Sequence, residues 1–173
     1  MKKSWFLVFL TTALAAGCQP AVKIFAYSQE TTPGNIPKNG TGENGNPAGI
    51  KKGALVNYFF YAAYKPTTII NFSEVWIGKE YYKVQTEVVA SSPVVMINKD
   101  IPDQPVKEEL VPATKQQVVS ISPIGSPGYK TIDSAWFRKM QSKSALIVSY
   151  LYGGEKKFIG VKNIKPLLPA AGM

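Results

Sequence analysis

The chain has 173 residues, and its formal charge at pH 7 is +9 because 20 Lys and Arg outnumber 11 Asp and Glu. The absence of histidine excludes Ser-His-Asp and Cys-His catalysis and metal sites built on imidazole. The chain has one arginine among scattered lysines, which makes nucleic acid a poor candidate partner. The basic charge could instead attract anionic lipid or an acidic glycan, or serve only to keep the protein soluble.

The first 18 residues have the pattern of an export signal. Two lysines precede an uncharged stretch at residues 5–16, which is too short to span a bilayer as a helix. The residues Ala15-Ala16-Gly17-Cys18 resemble the lipobox of bacterial lipoproteins, in which small residues precede the cysteine that is lipidated. The first of them departs from the family pattern, which usually has Leu there. The resemblance implies removal of residues 1–17 and attachment of membrane lipid to Cys18.

The same residues leave a second route of export open. Ala15 and Gly17 also suit the small-x-small rule of the ordinary signal peptidase, which would give a soluble periplasmic or secreted protein. Gln19 stands where the inner-membrane retention pattern of lipoproteins usually has Asp. We therefore expect an outer-membrane lipoprotein that faces the periplasm, with membrane lipid as its first partner.

Residues 18–50 are expected to be the lipid-attachment cysteine followed by a flexible tether, because Gly, Asn, Pro and Thr dominate and no apolar period is present. One stretch within them, residues 22–27, alternates and could add an edge strand to the fold. From Ala54 the composition changes, and residues 51–173 are predicted to form a single β-rich domain.

Residues 54–64 are rich in aromatics and predict a central strand. Residues 69–77 and 80–89 then flank Gly78-Lys79, a two-residue loop that suits a type II′ hairpin turn. The turn sets the register, so that opposed residues share a face of the hairpin. The aliphatic face, predicted to belong to the core, carries Ile69, Val75, Ile77, Tyr82, Val84 and Val88.

The other face of this hairpin is the predicted binding patch. It carries the aromatic residues Phe72, Trp76 and Tyr81, rimmed by Glu74 and Lys83. Exposed aromatics with a polar rim are typical of hot spots that bind sugar or protein, so an envelope protein or a glycan is the expected partner. The alternative is structural, with a second sheet or the helix predicted farther along the chain covering these rings.

Prolines divide the rest of the chain into shorter predicted elements. These are strands at residues 94–97 and 117–121, a helix at residues 131–142 and a second hairpin at residues 144–161. A long polar loop, residues 98–113, joins the two strands, and Gly153-Gly154 forms the hairpin turn. The helix is capped by Asp133 or Ser134, and it is too short to be stable alone, so it must pack on the sheet.

These elements indicate a mainly β fold, an antiparallel sandwich or a partly open barrel with one short helix. The absence of histidine and of a free thiol favours a non-catalytic binding or structural module of the cell envelope, without cofactor or metal. The alternative is a carboxylate-dependent hydrolase acting on glycan or peptidoglycan. Such an enzyme requires two acids that face each other across about 5–9.5 Å, and no pattern in the sequence marks such a pair.

Overall fold

The computed structural model describes residues 21–32, 55–98 and 106–171. The predicted signal, Cys18 and the greater part of the predicted tether lie outside these residues. The strands, numbered along the chain, are β1 (Lys23–Thr32), β2 (Leu55–Tyr64), β3 (Asn71–Ile77), β4 (Glu80–Val88), β5 (Val94–Asn98), β6 (Val106–Val111), β7 (Gln117–Gly128), β8 (Leu146–Tyr152), β9 (Glu155–Val161), β10 (Lys165–Pro166) and β11 (Ala170–Ala171). The helix α1 is Ala135–Gln141 and lies between β7 and β8.

Most strands form one large sheet in the order β10-β1-β2-β7-β4-β3-β8-β9, with β11 also paired to β1. Its long strands are antiparallel neighbours, whereas the two-residue strands β10 and β11 run parallel to β1. β5 and β6 form a separate two-stranded sheet. The large sheet curls into a half-barrel, which confirms the expected mainly β fold with a partly open barrel and one short helix.

The inside of the half-barrel is the main hydrophobic core. Successive side chains of a strand point to opposite faces of the sheet, and one face of the long strands is turned toward this core. Its buried members are Ala26, Phe60, Ala62, Tyr64, Phe72, Val75, Val119, Ile121, Leu146, Val148 and Tyr150. Residues of β1 and β8 stand far apart in the strand order, and the sheet has to curve for them to meet in one cluster.

The outer face of the half-barrel is covered in two places. The β5–β6 hairpin lies over β1 and β2, where Leu110 is buried and its carbonyl accepts a hydrogen bond from the Tyr27 hydroxyl at 2.6 Å. Helix α1 lies over β3 and β8, where Phe137 packs with Trp76 and Ile147. The second cover positions the candidate site.

The antiparallel order sorts the loops to the two ends of the half-barrel. The end where β1 begins, called the N-terminal rim below, carries the loops at residues 65–70, 89–93 and 112–116 and the Gly153-Gly154 turn. The opposite end, called the α1 end, carries the Gly78-Lys79 turn and residues 129–145, which include α1. Any surface beside α1 therefore lies far from the start of β1.

Both predicted hairpins are confirmed. The expected pairing of Trp76 with Tyr81 is present across β3 and β4, and Gly78 in their turn has φ of +61°. β8 and β9 meet around Gly153-Gly154, where both glycines have positive φ, which glycine adopts at little cost. The predicted helix is also present, and the Ser134 hydroxyl at its N-cap accepts a hydrogen bond from the Phe137 amide at 3.5 Å.

Two predictions about the chain's organisation are wrong. Residues 23–32 are not tether, because they form β1 and pair with β2 over nearly their whole length. The alternating stretch thus adds a strand to the sheet, but β10 and β11 pair with its other side, so it is not the edge strand that was expected. Residues 98–113 are not a continuous loop, because β6 lies within them. Lys107 and Glu109 occupy exposed positions of β6, and these charges conceal the strand pattern in the sequence.

Candidate functional site

Trp76 is a buried structural residue. The hairpin places its ring 5.4 Å from that of Tyr81, as its register predicts. Helix α1 and β9 then close over it, with ring centroids of Phe137 and Phe158 at 5.1 Å and 6.0 Å. Its indole Nε1 donates a hydrogen bond to the Lys130 carbonyl at 3.0 Å, and the side chain is fully buried. The prediction that Trp76 belongs to an exposed patch is therefore wrong.

Phe72 lies on the opposite face of the sheet from Trp76. A β-bulge between Phe72 and Glu74 shifts the register with β8, and a bulge reverses the side-chain alternation that the sequence implies. Phe72 consequently packs inside the half-barrel, 6.0 Å from the rings of Tyr64 and Tyr150. The predicted patch is thus divided, because Phe72 and Trp76 are buried on different faces while Tyr81 is half-buried and Lys83 is exposed.

Glu74 is the centre of a polar network on the outer face of the sheet. Lys130 and Lys156 form ion pairs with its two carboxylate oxygens. The Tyr81 hydroxyl donates to the same carboxylate at 3.2 Å, and the Ser149 hydroxyl donates at 3.4 Å. Lys83 lies opposite Glu74 in the strand pairing, as predicted, but the ion pairs are made by lysines from outside the hairpin.

This network holds Glu74 in its ionised form. Burial acts to raise the pKa of the carboxyl, but the hydrogen bonds and charges of Lys130 and Lys156 outweigh it and lower the pKa below its ordinary value. A carboxyl of this kind is suited to fixing two cations in place and unsuited to donating a proton as a general acid. In the parts of the chain that the structure describes, no group of three or more acidic or cysteine side chains is arranged to hold a metal ion.

A groove lies between α1 and β9, beside the buried cluster of Trp76, Phe137 and Ile147, and is called the α1–β9 groove below. It has a volume of about 400 Å³ and is lined by Trp136, Lys139, Met140, Lys143, Ser144, Gly160 and Lys162. Trp136 is 55% exposed and rests edge-on against Phe158, with ring centroids 5.9 Å apart. The same helix therefore turns one aromatic ring, Phe137, into the core and presents another to solvent.

Among the residues that the structure describes, the lysines of the α1–β9 groove have no ion-pair partner. No carboxylate in the described ranges lies within 4.0 Å of the ammonium groups of Lys139, Lys143 or Lys162. Arg138, the helix's other cation, instead pairs with Asp133 at 2.9 Å. Three unpaired ammonium groups around one concave surface attract anions.

The floor of this groove depends on a glycine. A Cβ atom added at Gly160 would lie 2.4 Å from the Ser144 hydroxyl and 3.2 Å from the Met140 Cγ atom. The absence of a side chain at Gly160 thus allows the chain after α1 to approach β9 closely. Sequence reasoning missed this groove, although one signal was available, since residues 134–154 contain no Asp or Glu.

A second concavity lies at the same end of the half-barrel, where β2 and β7 separate. Their pairing ends at Phe60 and Ile121, and a cleft of about 620 Å³ opens beyond it, lined by Val56, Asn57, Tyr58, Phe59, Tyr82, Ser122, Pro123 and Gly125. Burial, together with a 2.6 Å hydrogen bond to Glu80, raises the pKa of Tyr82 to about 12. Because the Asn57 amide also bonds within the fold, to the Thr31 hydroxyl, this cleft offers fewer free polar groups than the α1–β9 groove.

Comparisons of the chain with models of protein families, with curated proteins and with solved structures find no match. Within the described residues, no helix has the length and apolar character needed to cross a membrane.

Proposed function

We propose that the protein is a lipid-anchored, non-catalytic module of the cell envelope that binds an acidic glycan in the α1–β9 groove. The observation that carries the proposal is the exposed ring of Trp136 beside three lysines that have no ion-pair partner in the described residues. The envelope address is supported by the export signal and by the lipobox-like residues that end at Cys18.

The makeup of the groove favours a charged sugar over other ligands. An aromatic ring offers a flat apolar surface against which the C–H face of a pyranose packs, and the lysines supply counter-charges for carboxylate or phosphate groups on the same ligand. The volume of about 400 Å³ lies within the range of ligand sites, which is about 300–1,000 Å³. The cations that line the groove are lysines, which lack the planar guanidinium group with which arginine recognises nucleic acid bases.

The hydrolase alternative receives less support from the geometry. Among the described residues, Glu74 is the buried carboxylate on the α1 side of the sheet, and it forms ion pairs with two lysines rather than facing a second acid. Its lowered pKa also disfavours the role of proton donor.

Calorimetric titration tests the binding site. The protein, purified from membranes in a nonionic detergent, is titrated with tetragalacturonate, which is acidic, and with maltotetraose, a neutral saccharide of equal length. We expect only tetragalacturonate to bind. The triple variant Lys139→Gln, Lys143→Gln, Lys162→Gln should weaken binding at least about tenfold. A matched triple variant, Lys65→Gln, Lys107→Gln, Lys115→Gln, removes the same charge outside the groove and should change affinity less than about twofold.

Equal affinity for both saccharides, or equal losses in the two triple variants, would contradict the glycan proposal. A pull-down from envelope extract with wild type and Trp136→Ala then decides whether the groove binds a protein instead. The anchor is tested by mass spectrometry of the mature N-terminus, where we expect an acylated Cys18 as the first residue; an unmodified thiol would contradict the anchor.

A further inference from the structure

We propose that the N-terminal rim rests on the membrane in which Cys18 is anchored and contacts anionic phospholipid headgroups. This inference rests on the lipid anchor proposed above. Its first support is the short chain between the anchor and the fold, since Val22, four residues after Cys18, already packs against the core of the half-barrel. An extended chain spans at most about 3.6 Å per residue, so the lipidated residue and the rim lie within about 15 Å of each other.

The position of β1 is what makes this connection short. If residues 18–50 were all tether, the domain could stand far from the bilayer. Because Lys23–Thr32 forms β1 and pairs with β2, the long segment at residues 33–54 instead joins two neighbouring strands of the sheet. It adds nothing to the reach between the lipid anchor and the folded domain.

The side chains of the N-terminal rim suit a membrane surface. Ile69 is 90% exposed in the loop between β2 and β3, and Val88 is 61% exposed at the end of β4. The loops at this rim also contain Lys65 and Lys115, both exposed, and no Asp or Glu within residues 65–70, 89–93 or 112–116. Exposed aliphatic side chains flanked by lysines bind the interface of anionic bilayers through partial insertion and charge attraction.

The α1 end also exposes aromatic and basic side chains, including Tyr129 and Trp136, but its position excludes it from the same contact. The strand β1 has ten residues, which corresponds to about 30 Å at 3.3 Å per residue. With the rim held close to Cys18, the α1 end projects away from the bilayer. The α1–β9 groove then opens toward ligands that are not part of the anchoring membrane.

Fluorescence quenching by brominated lipid tests this orientation. Two variants each carry one new cysteine with an environment-sensitive fluorophore, Thr67→Cys in a loop of the N-terminal rim and Lys79→Cys in the turn at the α1 end. The full protein is reconstituted into vesicles of phosphatidylglycerol and brominated phosphatidylcholine. We expect the label at residue 67 to be quenched and the label at residue 79 to keep its emission. Equal quenching of both labels, or quenching at residue 79 alone, would overturn the proposal.

Charge reversal separates rim contact from simple tethering. The double variant Lys65→Glu, Lys115→Glu should reduce quenching of the residue 67 label at least about twofold. The matched variant Lys139→Glu, Lys162→Glu at the α1 end should leave it unchanged, and equal effects of the two would overturn the proposal. Mass spectrometry of the N-terminal peptide reports the anchor separately. An acylated chain without quenching at residue 67 overturns the rim contact alone, whereas quenching in a chain with unmodified Cys18 supports the rim and contradicts the anchor.

Discussion

Helix α1 separates two aromatic regions that differ in burial, in hydrogen bonding and in the pairing of the neighbouring charges. On its inner side Trp76 is fully buried among Tyr81, Phe137 and Phe158, and its indole nitrogen is hydrogen-bonded. On its outer side Trp136 is 55% exposed and touches one ring of that cluster. The charges differ in the same way, because the lysines next to the inner region are paired with Glu74, whereas those next to Trp136 have no ion-pair partner in the described part of the chain.

The contrast shows that an aromatic residue becomes a candidate ligand contact through what is left uncovered after folding. In the inner region, every buried side-chain nitrogen or oxygen that the structure describes has a hydrogen-bond partner within the protein, so this region stabilises the fold and offers little to a ligand. The outer region leaves an apolar ring and several cations facing solvent, which a ligand of complementary chemistry can satisfy.

The largest expected effect is that of Trp76→Ala. The change empties a buried site packed by three other rings, and should lower the free energy of unfolding by about 3–5 kcal/mol in urea denaturation. Trp136→Ala is the matched control, since it removes the same atoms from the other side of α1. A loss below about 1 kcal/mol for Trp76→Ala would contradict the structural role assigned to this residue.

Glu74→Gln should have the next largest effect. Substitution removes the charge that holds Lys130 and Lys156, but both lysines are partly exposed and regain water. We expect a loss of about 1.5–3 kcal/mol, the range for hydrogen bonds to charged groups. Glu87→Gln, which changes an exposed residue of β4, serves as the control and should be nearly neutral in the same denaturation experiment.

The Glu74 network also predicts a pH dependence. Because the folded protein lowers the pKa of Glu74 below its ordinary value of 4.5, the stabilisation is fully present above that value and is lost as pH falls through the lower pKa of the folded state. Wild type should therefore lose more stability than Glu74→Gln on acidification below about pH 4.5. Parallel stability curves for the two proteins in this range would contradict the lowered pKa.

Ser134→Ala should cost about 1 kcal/mol, because the Ser134 hydroxyl caps α1 and accepts the Phe137 amide. The cost should be visible as a lower midpoint of thermal unfolding. Ser126→Ala, at an exposed position of β7, is the control. If the two substitutions had equal effects, the cap would contribute nothing to holding α1 over Trp76.

The smallest expected effect on stability is that of Trp136→Ala, about 0.5 kcal/mol, since the residue gives up one edge-on ring contact at the surface. The same variant should abolish binding in the α1–β9 groove. A large loss of stability together with unchanged ligand affinity would reverse the roles assigned to the two sides of α1.

The local features of the fold could be predicted because they depend on local chemistry. The Gly78-Lys79 turn gave the register of its hairpin, and Ser134 was identified as a possible cap of α1. The bulge beside Phe72 could not be predicted, because a single extra residue leaves no mark in the alternation of short strands. The charged residues of β6 likewise concealed a strand that is completed by pairing with β5.

The candidate site could not be predicted because it depends on tertiary contacts. Sequence alternation grouped Trp76 with Tyr81 correctly, but which face α1 would cover was decided by packing between distant elements. Trp136 and Phe137 are neighbours in the sequence, and only the folded chain shows that Phe137 is buried and Trp136 is exposed. The unpaired state of the lysines depends on where each carboxylate lies in space, which spacing along the chain does not reveal.

Ion-specific quenching of tryptophan emission tests the contrast between the two sides of α1 most directly. The difference in emission between wild type and Trp136→Phe isolates the signal of Trp136, and iodide and caesium at equal ionic strength report its exposure and the sign of the local charge. We expect this signal to be quenched strongly by iodide, which the three lysines attract, and weakly by caesium. In the processed chain, which lacks Trp5, the emission that remains in Trp136→Phe comes from Trp76 and should resist both ions. Equal quenching of the Trp136 signal by the two ions, or strong quenching that persists in Trp136→Phe, would contradict the assignment of a buried structural Trp76 and an exposed Trp136 in a cationic groove.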